Sequence, residues 1–246
     1  MITPRILTVA LLTSAVLTAQ PAGIGGRLIA DPAVSRALEF AKSNEPNIIE
    51  RQITLTEIPA PPFQEDKRAA AYRAHFEKLG LKSVRIDAEG NVLGERPGRV
   101  ARPHMVFSAH LDTVFPPETN VTVRRDGNVL HAPGIGDDGR GLAVLLGVIE
   151  ALNHGGVKTD GPITFVGTVG EEGLGDLRGV KHLFQKELHG RIDRFVSVDG
   201  IGHGGSDAAA GGHRIHDVRE SRRPRFADTR HASYIRRWLH ENPHAA

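Results

Sequence analysis

The stretch "FSAHLDTVF", residues 107 to 115, sets the imidazole of His110 two residues before the carboxylate of Asp112. Side chains two apart on an extended chain point the same way, so the two groups are expected to face one spot at a strand end. Other carboxylates follow: Asp137 and Asp138 in a glycine-rich loop, Glu171 beside Glu172, and Asp199 before Gly200. Imidazole nitrogen and carboxylate oxygens suit zinc, and less specifically Co2+ or Mn2+. Two such ions, roughly 3.5 to 4 Å apart, need a carboxylate that bridges both. A metal pair lowers the pKa of water to about 7 and polarises a carbonyl, while a carboxylate outside the ligand set moves the proton. A Glu-Glu pair offers ligand and base side by side. The chain has no cysteine, no serine nucleophile elbow and no phosphate-binding loop, so hydrolysis at a metal meets no competing chemistry in the sequence.

The elements that must position these groups are legible from punctuation and periodicity. Residues 31 to 44 open with Asp31 as N-cap and Pro32 at the first helical position. A second helix over 47 to 58 must break at "PAPP", and a third, within 63 to 80, stops at Gly80. "SVRID" and "NVLGE" predict a hairpin around Glu89 and Gly90. The pattern then alternates: strand 104 to 110, hairpin 121 to 131 turning at Asp126 and Gly127, buried helix 139 to 156, strand 162 to 169. A helix over 177 to 188, with Leu177, Val180, Phe184 and Leu188 on one face, leads to strand 194 to 199. Nearly continuous apolar strands alternating with helices predict an α/β fold, a mostly parallel sheet with helices on both faces. "GIGG" at 23 to 26 lacks a preceding strand and the full dinucleotide spacing, and reads as linker.

In such sheets ligands sit beyond the carboxyl ends of the strands. Taken singly, His110 reads as a strand-end histidine bonded to backbone, Asp137 as a helix cap, Glu171 and Glu172 as a solvated turn, and Asp199 as a turn residue. Their joint placement at successive strand ends argues for a site.

"SAHLDTVFP", "APGIGDDGRGLAVLLGVIEAL", "FVGTVGEEGLGDLRGVKHLF" and "FVSVDG", in this order and spacing, resemble the M20 family of metallopeptidases, in particular its tripeptide-aminopeptidase-like members. "IPAPPFQEDKRA" resembles it too, and the likeness spans approximately residues 31 to 202. The resemblance implies a zinc exopeptidase-like catalytic domain that cleaves short peptides at a terminus. It implies that His110 and Asp199 hold one Zn2+, that Asp137 bridges, and that Glu172 holds the second. Glu171 would be the general base and Asp112 would orient His110; Asp138 would be structural. Family members carry an inserted lid and dimerisation domain and then a last zinc-binding histidine. Here "GGHRIH" begins to resemble the entry to that lid and the likeness then dissolves. The expectation is therefore an incomplete catalytic domain without the lid and dimerisation domain, monomeric, with one metal possible in place of two. His203, His213, His216 and His231 lack the context of the missing ligand. The alternative is an inactive remnant that at most binds metal.

Residues 1 to 22 have Arg5, an apolar run from Ile6 to Leu17 and small residues after it, the layout of a secretory signal peptide too short for a comfortable span. The expected location is periplasmic or extracellular, with no stable membrane span after leader removal. Residues 203 to 246 form an Arg- and His-rich divergent tail expected to be disordered. The tail lacks aromatic interleaving and a recognisable reader module, so no nucleic-acid partner is expected.

Overall fold

The computed structural model describes residues 23–200 and 214–217. The leader and most of the segment from 203 onward lie outside them. Helices α1 (Ile24–Ile29), α2 (Pro32–Ser43), α3 (Glu45–Thr56) and α4 (Asp66–Lys78) precede the first strands. Asp31 caps α2 as its sequence signals: the side chain accepts from the Ala33 and Val34 amides at 2.8 and 3.2 Å. The "GIGG" stretch is not linker. It enters α1, where the Arg27 and Ala30 amides reach the Gly23 and Gly26 carbonyls at 3.1 Å, so main-chain bonding overrides the poor helix propensity of glycine.

The remaining elements are β1 (Lys82–Ile86), β2 (Val92–Arg96), β3 (Met105–His110), β4 (Arg124–Asp126), β5 (Val129–His131), α5 (Gly139–Gly155) and β6 (Ile163–Thr168). They continue with α6 (Arg178–His182), a π-helical turn over Leu183–Glu187, β7 (Arg194–Ser197) and β8 (Arg214–Asp217). The six-stranded sheet runs β1-β2-β6-β3-β7-β8. It is mixed. β6, β3 and β7 are parallel, as the βαβ pattern requires, while the β1–β2 hairpin joins β6 antiparallel and β8 runs antiparallel to β7. Residues 214–217, part of the segment read as a tail, thus form an edge strand.

Alternate residues of the central strands feed two cores. Phe107, Ala109, Ile163 and Phe165 face α3, α4 and α5 through Leu55, Tyr72, Phe76, Leu142, Leu145, Leu146 and Ile149. Val106, Val166, Leu93 and Phe195 face Leu183 and Leu188 on the opposite side. Each large apolar group withdrawn in this way contributes about 1.5–3 kcal/mol. The helix predicted over 177 to 188 is α only as far as His182. The Leu188 amide then bonds the Leu183 carbonyl at 2.8 Å, five residues back, which brings both fully buried leucines to one face. Leu177 lies outside the helix in a left-handed conformation, φ 56°, rather than on its apolar face.

The chain leaves β3 through α5 to reach β6 on one side, then crosses β3 through α6 to reach β7 on the other. Right-handed crossovers place those two helices on opposite faces of the sheet. The reversal opens a crevice at the carboxyl ends of β3, β6 and β7.

Candidate metal centre

His110 is the last residue of β3 and is 3% exposed. Its Nε2 lies 2.8 Å from Asp137 Oδ1 and 3.7 Å from Asp199 Oδ1, and its Nδ1 lies 3.0 Å from the Asp112 carbonyl oxygen. Donation from Nδ1 to that carbonyl leaves Nε2 as the nitrogen facing the carboxylates. Asp137 comes from the loop before α5 and Asp199 follows β7, each with a side chain about two-fifths exposed. Glu171 and Glu172 follow β6 and are half-buried. Donor atoms of His110, Asp137 and Asp199 all lie within 4.8 Å of one another, and so do those of His110, Glu171 and Glu172. Three strand ends and one helix start thus bring together the five groups picked from the sequence as ligands and base.

Asp112 is placed differently from the expectation. β3 ends at His110, so the two-residue alternation does not carry forward, and Asp112 is fully buried instead of facing the shared spot. Its carboxylate accepts the Glu171 and Glu172 amides at 3.0 and 2.8 Å, while its Oδ1 stands 3.6 Å from His110 Nδ1. Asp112 therefore meets the imidazole with both its main-chain carbonyl and its carboxylate, and holds the Glu-Glu turn through that carboxylate. Asp138, also fully buried, caps α5 by accepting from the Gly141 amide at 2.9 Å and fastens β3 by accepting from the His110 amide at 3.0 Å.

The electrostatics are those of surplus negative charge around one imidazole. Burial works against the protonated form of His110, yet hydrogen bonding to Asp112, Asp137 and Asp199 outweighs it and holds the pKa well above 6.5. Burial also opposes the charged form of Asp112, but His110 and the two amides keep its pKa below the usual carboxylate value. Glu172 is pushed up by burial, with Asp137, Asp112 and Asp199 adding to the rise against the opposing effect of His110. Asp138 is pushed well up, mainly by burial. A divalent cation would relieve this repulsion. The donor set of His110, Asp137 and Asp199 fits one such ion, since an imidazole nitrogen and two carboxylates converge on one spot. Glu171 and Glu172 form a second group with the same imidazole, and among the described residues no further histidine joins either group.

Sequence reasoning passed over the groups that hold the strand-end loops. Arg68, 1% exposed, donates to the carbonyls of Ile58 (2.6 Å) and Leu111 (2.7 Å) and more weakly to Thr56. Burial lowers its pKa to about 10, against the pull of Asp112 and Asp138, so it stays charged at neutral pH. The signal was present: Arg68 shares the i, i+4, i+8 face of α4 with the fully buried Tyr72 and Phe76. Glu65 and Arg178, which grip the main chain beside Glu171, were missed as well.

A family model described as peptidase family M20/M25/M40 matches residues 106–241, more than half of the chain. A LysW-lysine/LysW-ornithine hydrolase named so in Pyrococcus abyssi is 32% identical over 49% of this chain and 32% of that protein. Carboxypeptidase G2 of Pseudomonas sp. (strain RS-16) is 26% identical over 61% of this chain and 38% of its own length. Among solved structures, a tripeptidase from Staphylococcus aureus superimposes with a TM-score of 0.55 at 27% identity, covering 65% of this chain and 44% of that one. Aminopeptidase PepT from Bacillus cereus shares the fold, with a TM-score of 0.56 at 23% identity over 65% of this chain and 44% of that one. The chain thus spans about a third of the curated relatives it matches and under half of these two structures. By the matched family model, and by a sheet whose strand ends carry this donor set, the chain belongs to peptidase family M20/M25/M40.

Proposed function

We propose that this chain carries the cation-binding half of a metal-dependent peptide hydrolase acting on an amide bond next to the free terminus of a short peptide. The observation that carries the reading is the convergence of His110, Asp137 and Asp199, whose donor atoms lie within 4.8 Å of one another at one end of three parallel strands, with Glu171 and Glu172 forming a second such group with His110. His110, Asp137 and Asp199 would hold one Zn2+, with Asp137 also reaching a second ion shared with Glu172. Such an ion, when bound, makes water more acidic and draws electron density from a carbonyl oxygen. Glu171 takes a proton from water as the oxygen adds to the scissile carbonyl carbon, and returns it to the amine nitrogen as the C–N bond breaks. Asp112 keeps the base aimed by fixing its amide. The leader-like composition of residues 1 to 22 supports export as part of the same reading.

One observation favours a second reading, a cation-binding protein without turnover: among the described residues a single imidazole serves the whole cluster. One experiment separates the two. The protein is stripped with chelator, refilled with Zn2+, Co2+ or Mn2+, and assayed on free and N-blocked di- and tripeptides beside Glu171→Ala, with metal content measured by elemental analysis. Turnover of free-terminus peptides by the parent chain, lost in Glu171→Ala at equal metal content, supports the hydrolase. Equal metal and no turnover in either supports the second reading.

A further inference from the structure

Three consecutive amides, those of Gly170, Glu171 and Glu172, each end on a carboxylate oxygen. Asp112 takes the last two, and Glu65 Oε1 takes that of Gly170 at 3.2 Å. Glu65 is 4% exposed and stands at the start of α4, over a hundred residues earlier in the chain. Its charge is met by Arg178 Nη2 at 2.7 Å. Arg178 Nη1 donates to the carbonyl and carboxylate of Glu89 at 2.9 and 3.1 Å, and the guanidinium lies over the Phe63 ring, 5.0 Å from its centroid.

Arg178 also closes on Gly170 from the other side. Its amide donates to the Gly170 carbonyl at 3.2 Å, and its side chain packs so tightly that a Cβ on Gly170 would stand 2.6 Å from Cγ and Nε. Gly170 has φ +59°, a conformation open to glycine, so the residue before Glu171 is gripped at its amide, its carbonyl and its Cα. A carboxylate buried to this extent is costly unless paired, and an apolar side chain in its place could not accept the Gly170 amide.

We propose that Glu65 and Arg178 are a positioning pair for the Glu171–Glu172 turn: they fix Gly170, and through it the direction in which both carboxylates leave the end of β6. This rests on the metallohydrolase reading of the site. The pair touches no reacting atom and acts only through the turn. The need for it is general, since a displacement of about 1 Å in a catalytic group can cost about a hundredfold in rate.

The test uses the whole chain with Glu65→Ala, Glu65→Gln and Arg178→Gln, and two readouts. In Glu65→Ala the amides of residues 170 to 172 should exchange hydrogen at least tenfold faster, while those of α5 and β6 keep parent rates. The visible spectrum of bound Co2+ should change, with half-saturation at least tenfold higher. Arg178→Gln should follow Glu65→Ala, and Glu65→Gln, which keeps an acceptor oxygen, should recover most of both effects. Parent exchange rates at 170 to 172 in Glu65→Ala would overturn the proposal, as would uniform acceleration over the whole chain or a Co2+ spectrum and affinity unchanged while the turn loosens. A parent protein that binds no Co2+ defeats the metallohydrolase reading instead, and the exchange readout then decides on the pair alone.

Discussion

At the scale of the residue, the site divides into groups that can bind and groups that aim them. His110 offers Nε2 to two carboxylates because Nδ1 is committed to a main-chain carbonyl, and a tautomer fixed in this way is characteristic of a ligand imidazole. His110→Ala should abolish Co2+ binding by the cluster of His110, Asp137 and Asp199, read by calorimetric titration. Asp112→Asn is the more informative change. The amide oxygen can still accept one of the Glu171 and Glu172 amides, but the NH2 group faces the other, so the turn loosens while the imidazole contact through the carbonyl survives. Affinity should fall about 10- to 100-fold without loss of stoichiometry. An unchanged affinity would mean that the turn does not depend on that carboxylate.

At the scale of the element, the strand-end loops are irregular backbone inside a packed molecule, and their carbonyls need donors. Arg68 meets three of them from one side of α4. Arg68→Met preserves much of the volume but orphans those oxygens, and should lower stability by roughly 3 kcal/mol, measured by urea unfolding. An effect below about 0.5 kcal/mol, within the range of ordinary surface substitutions, would show that the loops hold without it. α5 is legible for the opposite reason. Its caps are local, Asp138 at one end and Gly156 at φ +68° at the other, so position and length follow from short-range sequence. The π turn at 183 to 187 was not legible, because it depends on Leu183 and Leu188 meeting one patch on the far face of the sheet, which no periodicity in the segment announces.

At the scale of the whole molecule, ligand and proton both act on folding. A cation that binds only the folded chain stabilises it by mass action, about 2.7 kcal/mol at a hundredfold excess over Kd, so Co2+ should raise the unfolding temperature and chelator should return it. Protons act through buried histidines as well. Burial, together with nearby Arg191, lowers the pKa of His104, whose ring shares a hydrogen bond with Thr164. The unfolded chain then binds more protons than the folded one just below pH 6.5. The stability tied to a neutral His104 is therefore complete above that pH and is lost as pH falls toward the lowered folded value. His110, with its raised pKa, contributes in the opposite sense. The comparison is accordingly with His104→Gln: the urea midpoint of the parent should drop more than that of the variant between pH 7.5 and 5.5, and parallel slopes would refute the assignment.

The order of strands and helices from α2 to β7, the Asp31 cap of α2, and the residue types gathered for chemistry were readable in the one-dimensional chain, whereas α1, β8 and the Asp138 cap of α5 were not. Periodicity, capping and strand-end placement are local properties, and local properties are written in short stretches. His110, Asp137, Glu171, Glu172 and Asp199 could be named because each sits at or shortly after a strand end, or shortly before a helix. Tertiary structure alone decided that the sheet is mixed, since nothing local tells the β1–β2 hairpin to join β6 antiparallel. It alone gave the Asp112 carboxylate, beside the imidazole, the amides of residues about sixty positions distant. It alone brought Glu65 to Gly170 and Arg178, more than a hundred residues along the chain. The partner of a buried charge is set by three-dimensional neighbourhood, and sequence separation carries almost no information about it.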